Sequence, residues 1–237
     1  MGRAFEFRRA RKEKRWAKMA RTFARIGKEI AIAVRQGGPS IDGNARLRIA
    51  VQNAKDANMP KDNVESAIKR AASKDAADFQ EVVYEGYGPH GIAIMIESAT
   101  DNPTRTVANI RMYFTRSGGA LGTSGSLDFL FERKGLFTIS TKNINPDDLE
   151  LELIDFGLEE FSVEGEEAYL TTSFQDFRKM QKALEDKGIE VLSAELQRLP
   201  LSTNELTPAQ AEDVQKVIEQ IEDDEDVQAV YTNLKSE

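Results

Sequence analysis

The sequence predicts an α+β multidomain chain: an N-terminal three-helix bundle followed by two α/β domains, the last ferredoxin-like (βαββαβ) and inserted into the middle one. Three observations lead there. Residues 1–79 are rich in Ala, Arg and Lys, with helical apolar spacing and few β-branched clusters. From Phe79 onward, short β-rich runs alternate with turn signals and helical stretches. The last helix and strand are too little to form a domain alone, so they complete an earlier sheet. The expected domains are 1–79, then 80–134 joined with 201–237, then 135–200 as the insertion.

The first helix runs to about Val34 and stops at Gly37-Gly38-Pro39. A second fits Ala45 to Ala57, with a stripe of Leu47, Ala50, Val51 and Ala54. A third starts near Pro60 and repeats Val64, Ala67, Ile68 and Ala71. Ser73 to Asp78 reads as a linker. Gln80–Tyr87 and Ile92–Glu97 read as strands joined by the turn Gly88-Pro89-His90-Gly91, with Ile92, Ile94 and Ile96 on one face. Asn102-Pro103 opens a helix that ends at Gly118-Gly119. Leu127–Phe131 is expected as a further strand, closed by Arg133-Lys134-Gly135. Next come strand Leu136–Ser140, helix Asp147–Phe156, strands Glu160–Val163 and Ala168–Thr172, helix Gln175–Lys187 and strand Ile189–Leu199, a split βαβ order. Thr207-Pro208-Ala209-Gln210 is a capping box for a helix to Glu222, and Val227–Thr232 is the last strand.

Composition narrows function. The 237 residues hold no Cys and one His, which excludes a disulfide scaffold, a Cys-ligated metal, a thiol nucleophile and a multi-His metal site. No apolar run reaches the length of a membrane span, and the basic N-terminus lacks the apolar core of a secretory signal. A cytoplasmic protein without cofactor, membrane partner or small-molecule substrate is expected. The net charge of −8 is a misleading average. Residues 1–79 carry 19 Lys and Arg against 9 Asp and Glu, while residues 80–237 carry 13 against 31. A basic third on an acidic chain points to a polyanionic partner.

At 100° per residue, Trp16, Met19, Phe23, Ile26, Ile30 and Val34 share a sector of about 80° and read as the core face of the first helix. Lys14, Lys18, Arg21, Arg25 and Lys28 form a ridge on the opposite side, about 21 Å long. Before Lys14 the pattern breaks, since Arg8 and Lys12 fall on the apolar side while Arg9, Arg11 and Arg15 scatter. About the first twelve residues are therefore expected to be an arm, ordered only on binding. Residues 1–28 hold 11 basic and 2 acidic residues, which favours phosphate contact over a merely solvated face. Arg46 and Arg48 extend the patch. The candidate nucleic-acid-binding set is thus Arg8, Arg9, Arg11, Lys12, Lys14, Arg15, Lys18, Arg21, Arg25, Lys28, Arg46 and Arg48. Asp101, Asn102 and Arg105 read as a helix cap before a ligand site, Gly118–Gly125 as a helix exit and loop, and Glu222–Asp226 as a solvated acidic run.

Several stretches together resemble the YebC family, which includes mitochondrial translational activators of cytochrome oxidase. They are Gly37-Gly38-Pro39 with Asn44-Ala45-Arg46-Leu47-Arg48, Asn58-Met59-Pro60-Lys61-Asp62, Tyr84-Glu85-Gly86-Tyr87-Gly88-Pro89, Thr100-Asp101-Asn102 with Arg105-Thr106, and Gly118-Gly119-Ala120-Leu121-Gly122 with Gly125-Ser126. The resemblance implies an all-α domain followed by two α/β domains, the last inserted, and no enzymatic activity. It implies either a DNA-binding transcriptional regulator or a translation factor at the ribosome that contacts ribosomal RNA and relieves stalling. One departure stands out. Many members begin with a Gly-His-Ser-Lys-Trp-Ala-Asn type segment, whereas this chain begins Gly2-Arg3-Ala4-Phe5-Glu6-Phe7, with Trp16-Ala17 later. The expected function is a non-enzymatic nucleic-acid-binding regulator of gene expression. No helix-turn-helix, zinc finger or RNA-recognition signature separates DNA from ribosomal RNA.

Overall fold

The computed structural model describes residues 3–74, 76–142 and 144–235, with side chains from Trp16 onward. Helix α1 (Arg3–Gly37) is a single element of 35 residues, about 52 Å long. The expected arm is therefore corrected: the backbone is helical from Arg3. A run rich in Ala and Arg has high helix propensity whether or not its faces are cleanly divided.

Asn44 closes the link to α2 (Ala45–Asp56). Its carbonyl oxygen accepts from the Leu47 amide at 3.1 Å, and its amide donates to the Ala33 and Gly38 carbonyls at 2.7 and 2.9 Å. One buried side chain thus caps α2 and ties it to the end of α1. A Cβ at Gly37 would lie 2.7 Å from that amide group, which explains a small residue there. With α3 (Lys61–Ala71), the three helices bury Ile30, Ala33, Val34, Leu47, Ala50, Ala54, Val64, Ala67 and Ala71.

Strands β1 (Gln80–Tyr87) and β2 (Ala93–Thr100) form the expected hairpin. Helix α4 (Pro103–Arg116) follows, capped by Asn102, and then the two-residue β3 (Ala120–Leu121). The expected strand over Leu127–Phe131 is corrected. Residues Asp128–Leu130 form a short 3-10 turn, and β4 (Phe131–Ser140) runs unbroken through Gly135. Gly135 does not end a strand; it makes room. The Phe177 ring lies where its Cβ would be, at 2.4 Å. The chain continues through α5 (Pro146–Ile154), β5 (Leu158–Glu164), β6 (Glu167–Ser173), α6 (Phe177–Asp186), β7 (Val191–Pro200), α7 (Pro208–Glu222) and β8 (Val227–Thr232).

Two antiparallel four-stranded sheets result, with orders β3-β1-β2-β8 and β5-β6-β4-β7. The last strand of the chain returns to β2, and the second sheet uses only strands that lie between β3 and β8 in sequence. Ile92, Ile94 and Ile96 pack under Ile110 and Phe114 of α4 and Val214, Val217 and Ile221 of α7. The second sheet packs Phe137, Ile139, Ala168 and Leu170 on Leu149 and Leu153 of α5 and Phe177, Met180 and Leu184 of α6.

The bundle does not stand apart from the sheets. Strand β7 is an edge, and α2 covers it. The Asn53 side chain accepts from the Ala194 amide at 3.1 Å and donates to the Ala194 carbonyl at 2.9 Å, in place of a neighbouring strand. Gln52 donates to the Leu192 carbonyl. An edge strand so covered cannot template pairing with another chain. Replacing Asn53 by alanine leaves both Ala194 groups short of partners and is expected to cost about 1–3 kcal/mol, measured as a shift in urea midpoint.

Candidate nucleic-acid interface

The ridge expected along α1 is divided by the structure into two parts. Its C-terminal part is docked on the corner between α7 and β8. Arg21 pairs with Asp223. Arg25 donates from Nε to the Val227 carbonyl at 3.1 Å and from Nη2 to the Glu222 carbonyl at 2.9 Å. Lys28 donates to the Ala99 and Glu225 carbonyls at 2.9 and 2.7 Å and to Asp226 Oδ1 at 2.9 Å. It also lies 5.2 Å from the Phe79 ring centroid. The C-terminal end of α7 carries the negative pole of its dipole, so three cations suit this corner. Burial pushes the Arg25 guanidinium below its ordinary pKa, with Glu222 opposing.

Asp226 is the centre of that corner. It is 3% exposed, so it is not part of a solvated acidic run as the sequence suggested. Its carboxylate accepts from Lys28, from Arg105 Nη2 at 2.7 Å, from Thr106 Oγ1 at 2.8 Å and from Thr100 Oγ1 at 3.1 Å. Burial alone would raise its pKa. The hydrogen bonds from Arg105, Lys28 and Thr106 outweigh burial and hold it at about 2. Thr100-Asp101-Asn102 and Arg105-Thr106 are therefore an anchor for the bundle, with Asn102 a plain helix cap.

Arg46 and Arg48 are likewise engaged within the chain. Arg46 pairs with Glu29 and Glu81 at 2.9 and 2.6 Å. Burial lowers its pKa, and hydrogen bonds to Glu81 and Glu29 more than reverse that. Arg48 pairs with Glu185 and donates to the Ile41 and Asp42 carbonyls. Sequence reasoning gave Arg25, Lys28, Arg46 and Arg48 to a patch for an outside partner; the structure uses them to fasten the bundle to both sheets.

The other part of the ridge projects. Residues 16–20 of α1 are exposed on every side, Lys18 among them. The side chains of Arg8, Arg9, Arg11, Lys12, Lys14 and Arg15 lie outside the described set, on backbone that continues the helix. Trp16 and Met19, expected in the core, are 53% and 43% exposed. The reason is length. Helices α2 and α3 have 12 and 11 residues and cover about 17 Å of a 52 Å rod. Buried apolar positions on α1 start at Ile30, with Ile26 packed alongside. Comparing the element lengths in the sequence would have shown this.

Elsewhere, Glu85 is buried and binds the Gly125 and Leu127 amides at 2.8 and 2.7 Å, fixing the glycine-rich loop after α4. His90 faces Asp213 at 3.3 Å. A cleft of about 410 Å³ between α4 and α7 is lined by Tyr113, Arg116, Ser117, Val217, Gln220 and Asp223. Burial and then Asp224 push the Tyr113 hydroxyl up to about 12. Among the described residues, no group of acidic or His side chains is placed to hold a metal ion, and no helix is long and apolar enough to cross a membrane.

The chain matches two adjoining family models. Residues 3–74 match the TACO1/YebC protein N-terminal domain, and residues 79–234 match the TACO1/YebC second and third domain. A protein of Parabacteroides distasonis named "Probable transcriptional regulatory protein" is 57% identical over 100% of this chain and 98% of its own. One of Cytophaga hutchinsonii with the same name is 57% identical, covering 99% and 98%. The crystal structure of a conserved hypothetical protein from Aquifex aeolicus is similar with a TM-score of 0.76 at 36% identity, covering 91% of this chain and 90% of that one. With both models in register and whole-length relatives above half identity, the chain belongs to the TACO1/YebC family.

Proposed function

We propose that this protein is a non-enzymatic regulator of gene expression that binds nucleic acid through the projecting N-terminal part of α1. The observation that carries the reading is the division of the ridge. The cations nearest the body are neutralised by Asp223, Asp226 and backbone carbonyls, while the stretch before them, residues 1–20, continues the rod with 8 basic and 2 acidic residues. A surface basic only to stay in water would not carry such an excess; a phosphate backbone uses it. The contact set is Arg8, Arg9, Arg11, Lys12, Lys14, Arg15 and Lys18, with Arg21 at its inner limit. The remaining acidic surface repels polyanions and orients the approach. We read the bundle, the first sheet completed by β8, and the second sheet as three domains with the last inserted.

The names of the relatives favour DNA and transcription. One observation favours ribosomal RNA at the ribosome as a second reading. The helix that would enter a major groove in a three-helix reader is unavailable if it is α2, which lies on β7 through Gln52 and Asn53. Recognition then falls to backbone and shape. Co-sedimentation with ribosomes, beside duplex DNA binding across a salt series, decides. Retention on ribosomes at salt that abolishes DNA binding overturns the transcription reading, and the reverse overturns the ribosomal one.

A further inference from the structure

We propose that the projecting part of α1 docks on the outer face of α5 of a second copy of this protein, a face that carries Leu151 and Ile154 among carboxylates. Helix α5 buries Leu149 and Leu153. At 100° per residue, Leu151 lies about 180° from the middle of that pair, and Ile154 lies beside it. These two side chains are 69% and 56% exposed. Asp147 falls between them in projection, with Glu150 and Asp155 on the two flanks, and all three are exposed. The helix holds no Lys or Arg. Residues 141–170 hold one Lys against ten Asp and Glu. A helix with large aliphatic side chains on both its inner and its outer side has a second surface to cover.

The chain itself carries the complement. Residues 1–20 hold 8 basic and 2 acidic residues, on the part of α1 that runs beyond the bundle core. Met19 is 43% exposed, and positions 8 and 12, both basic, share its sector at 100° per residue. Methionine is unbranched and adapts to an apolar neighbour. An apolar position followed by two cations thus meets an apolar pair bordered by carboxylates. The lengths agree: positions 8 to 19 span about 17 Å, and the 9 residues of α5 about 13 Å. Within one copy the two surfaces belong to opposite edges of the second sheet, since the bundle covers β7 whereas α5 packs with β5. The contact therefore joins different surfaces of two copies and is heterologous. A nucleic acid is repelled by the acidic face of α5. An anionic membrane is repelled too, and it requires a wider apolar face.

Sedimentation velocity of the full chain, free of nucleic acid, tests the contact over a range of protein concentrations at low and high salt. Association is expected at low salt and should weaken as salt screens the charges. Leu151→Ser with Ile154→Ser should weaken it roughly tenfold or more, as for truncation at the centre of an interface. Arg8→Glu with Lys12→Glu, and separately Glu150→Lys with Asp155→Lys, should each weaken it likewise. An equimolar mixture of these two variants should restore association, because one supplies an intact rod and the other an intact α5 face. A chain that stays monomeric at low salt, association indifferent to Leu151 and Ile154, or a mixture no stronger than its components overturns the proposal. Thermal midpoints check folding. If Glu150→Lys with Asp155→Lys lowers the midpoint, Leu151→Ser with Ile154→Ser decides alone. The affinity of that last variant for duplex DNA should stay within about twofold of the wild type, so failure of this contact is read apart from failure of the polyanion reading.

Discussion

Asp226→Ala is expected to lower stability by about 3 kcal/mol, near the bottom of the range for breaking a buried ion pair. The carboxylate has four side-chain partners, from α1, the end of β2 and the start of α4. Its removal takes an acceptor from the buried Thr100 and Thr106, which keep each other and the Asn102 backbone, and takes the charged partner from Lys28. The loss stays near the lower bound because Arg105 is half exposed and keeps Asp101, and Lys28 keeps two carbonyls. The urea midpoint measures it. The same group sets a pH dependence. Its folded pKa of about 2 lies below the ordinary 3.8, so its contribution is complete above the unfolded value and is lost as pH falls toward 2. That contribution is about 2 kcal/mol. The stability gap between the wild type and Asp226→Asn should therefore be constant at neutral pH and shrink between about pH 4 and pH 2. A gap that persists at pH 2 contradicts the assignment.

Charge reversal separates the two parts of the ridge. Arg11→Glu, Lys14→Glu and Lys18→Glu together should reduce polyanion affinity at least about a hundredfold at low salt and flatten the salt dependence by roughly 0.9 per lost phosphate contact. Stability should stay within about 0.5 kcal/mol, as for surface substitutions generally. Arg25→Glu with Lys28→Glu should do the opposite first. It places carboxylates against the Glu222 and Glu225 carbonyls and beside Asp226, so folding suffers before binding is tested. Filter binding over a salt series, paired with urea unfolding, measures both. If the triple reversal leaves binding intact, the contact surface lies elsewhere on the molecule.

Local signals in the sequence carried much of this fold. The Asn102 and Thr207 caps, the β1–β2 hairpin and the isoleucine face of β2 are each written in a few neighbouring residues, and each appears as read. What failed was non-local. Gly135 reads as a terminator until Phe177, 42 positions away, is seen lying on it. Asp226 reads as one more surface acid until Lys28, Arg105, Thr100 and Thr106 converge on it. The periodicity of α1 correctly told which face of the helix is apolar and which is basic. It carried no information on how far the neighbouring helices extend. So Trp16 and Met19 went to the core, and Arg25 and Lys28 went to an outside partner.

The docking of α1 also has a timetable. The partners of Arg21, Arg25 and Lys28 on the α7–β8 corner lie 197 to 202 positions further along the chain. At about 5–20 residues per second, synthesis of that stretch takes roughly 10–40 s. Through that interval the whole basic ridge is present and its internal counter-charges are not yet made. The nascent chain thus presents the full charge of its ridge while still beside the ribosome that makes it, and Arg21, Arg25 and Lys28 meet their partners only when the last strand emerges.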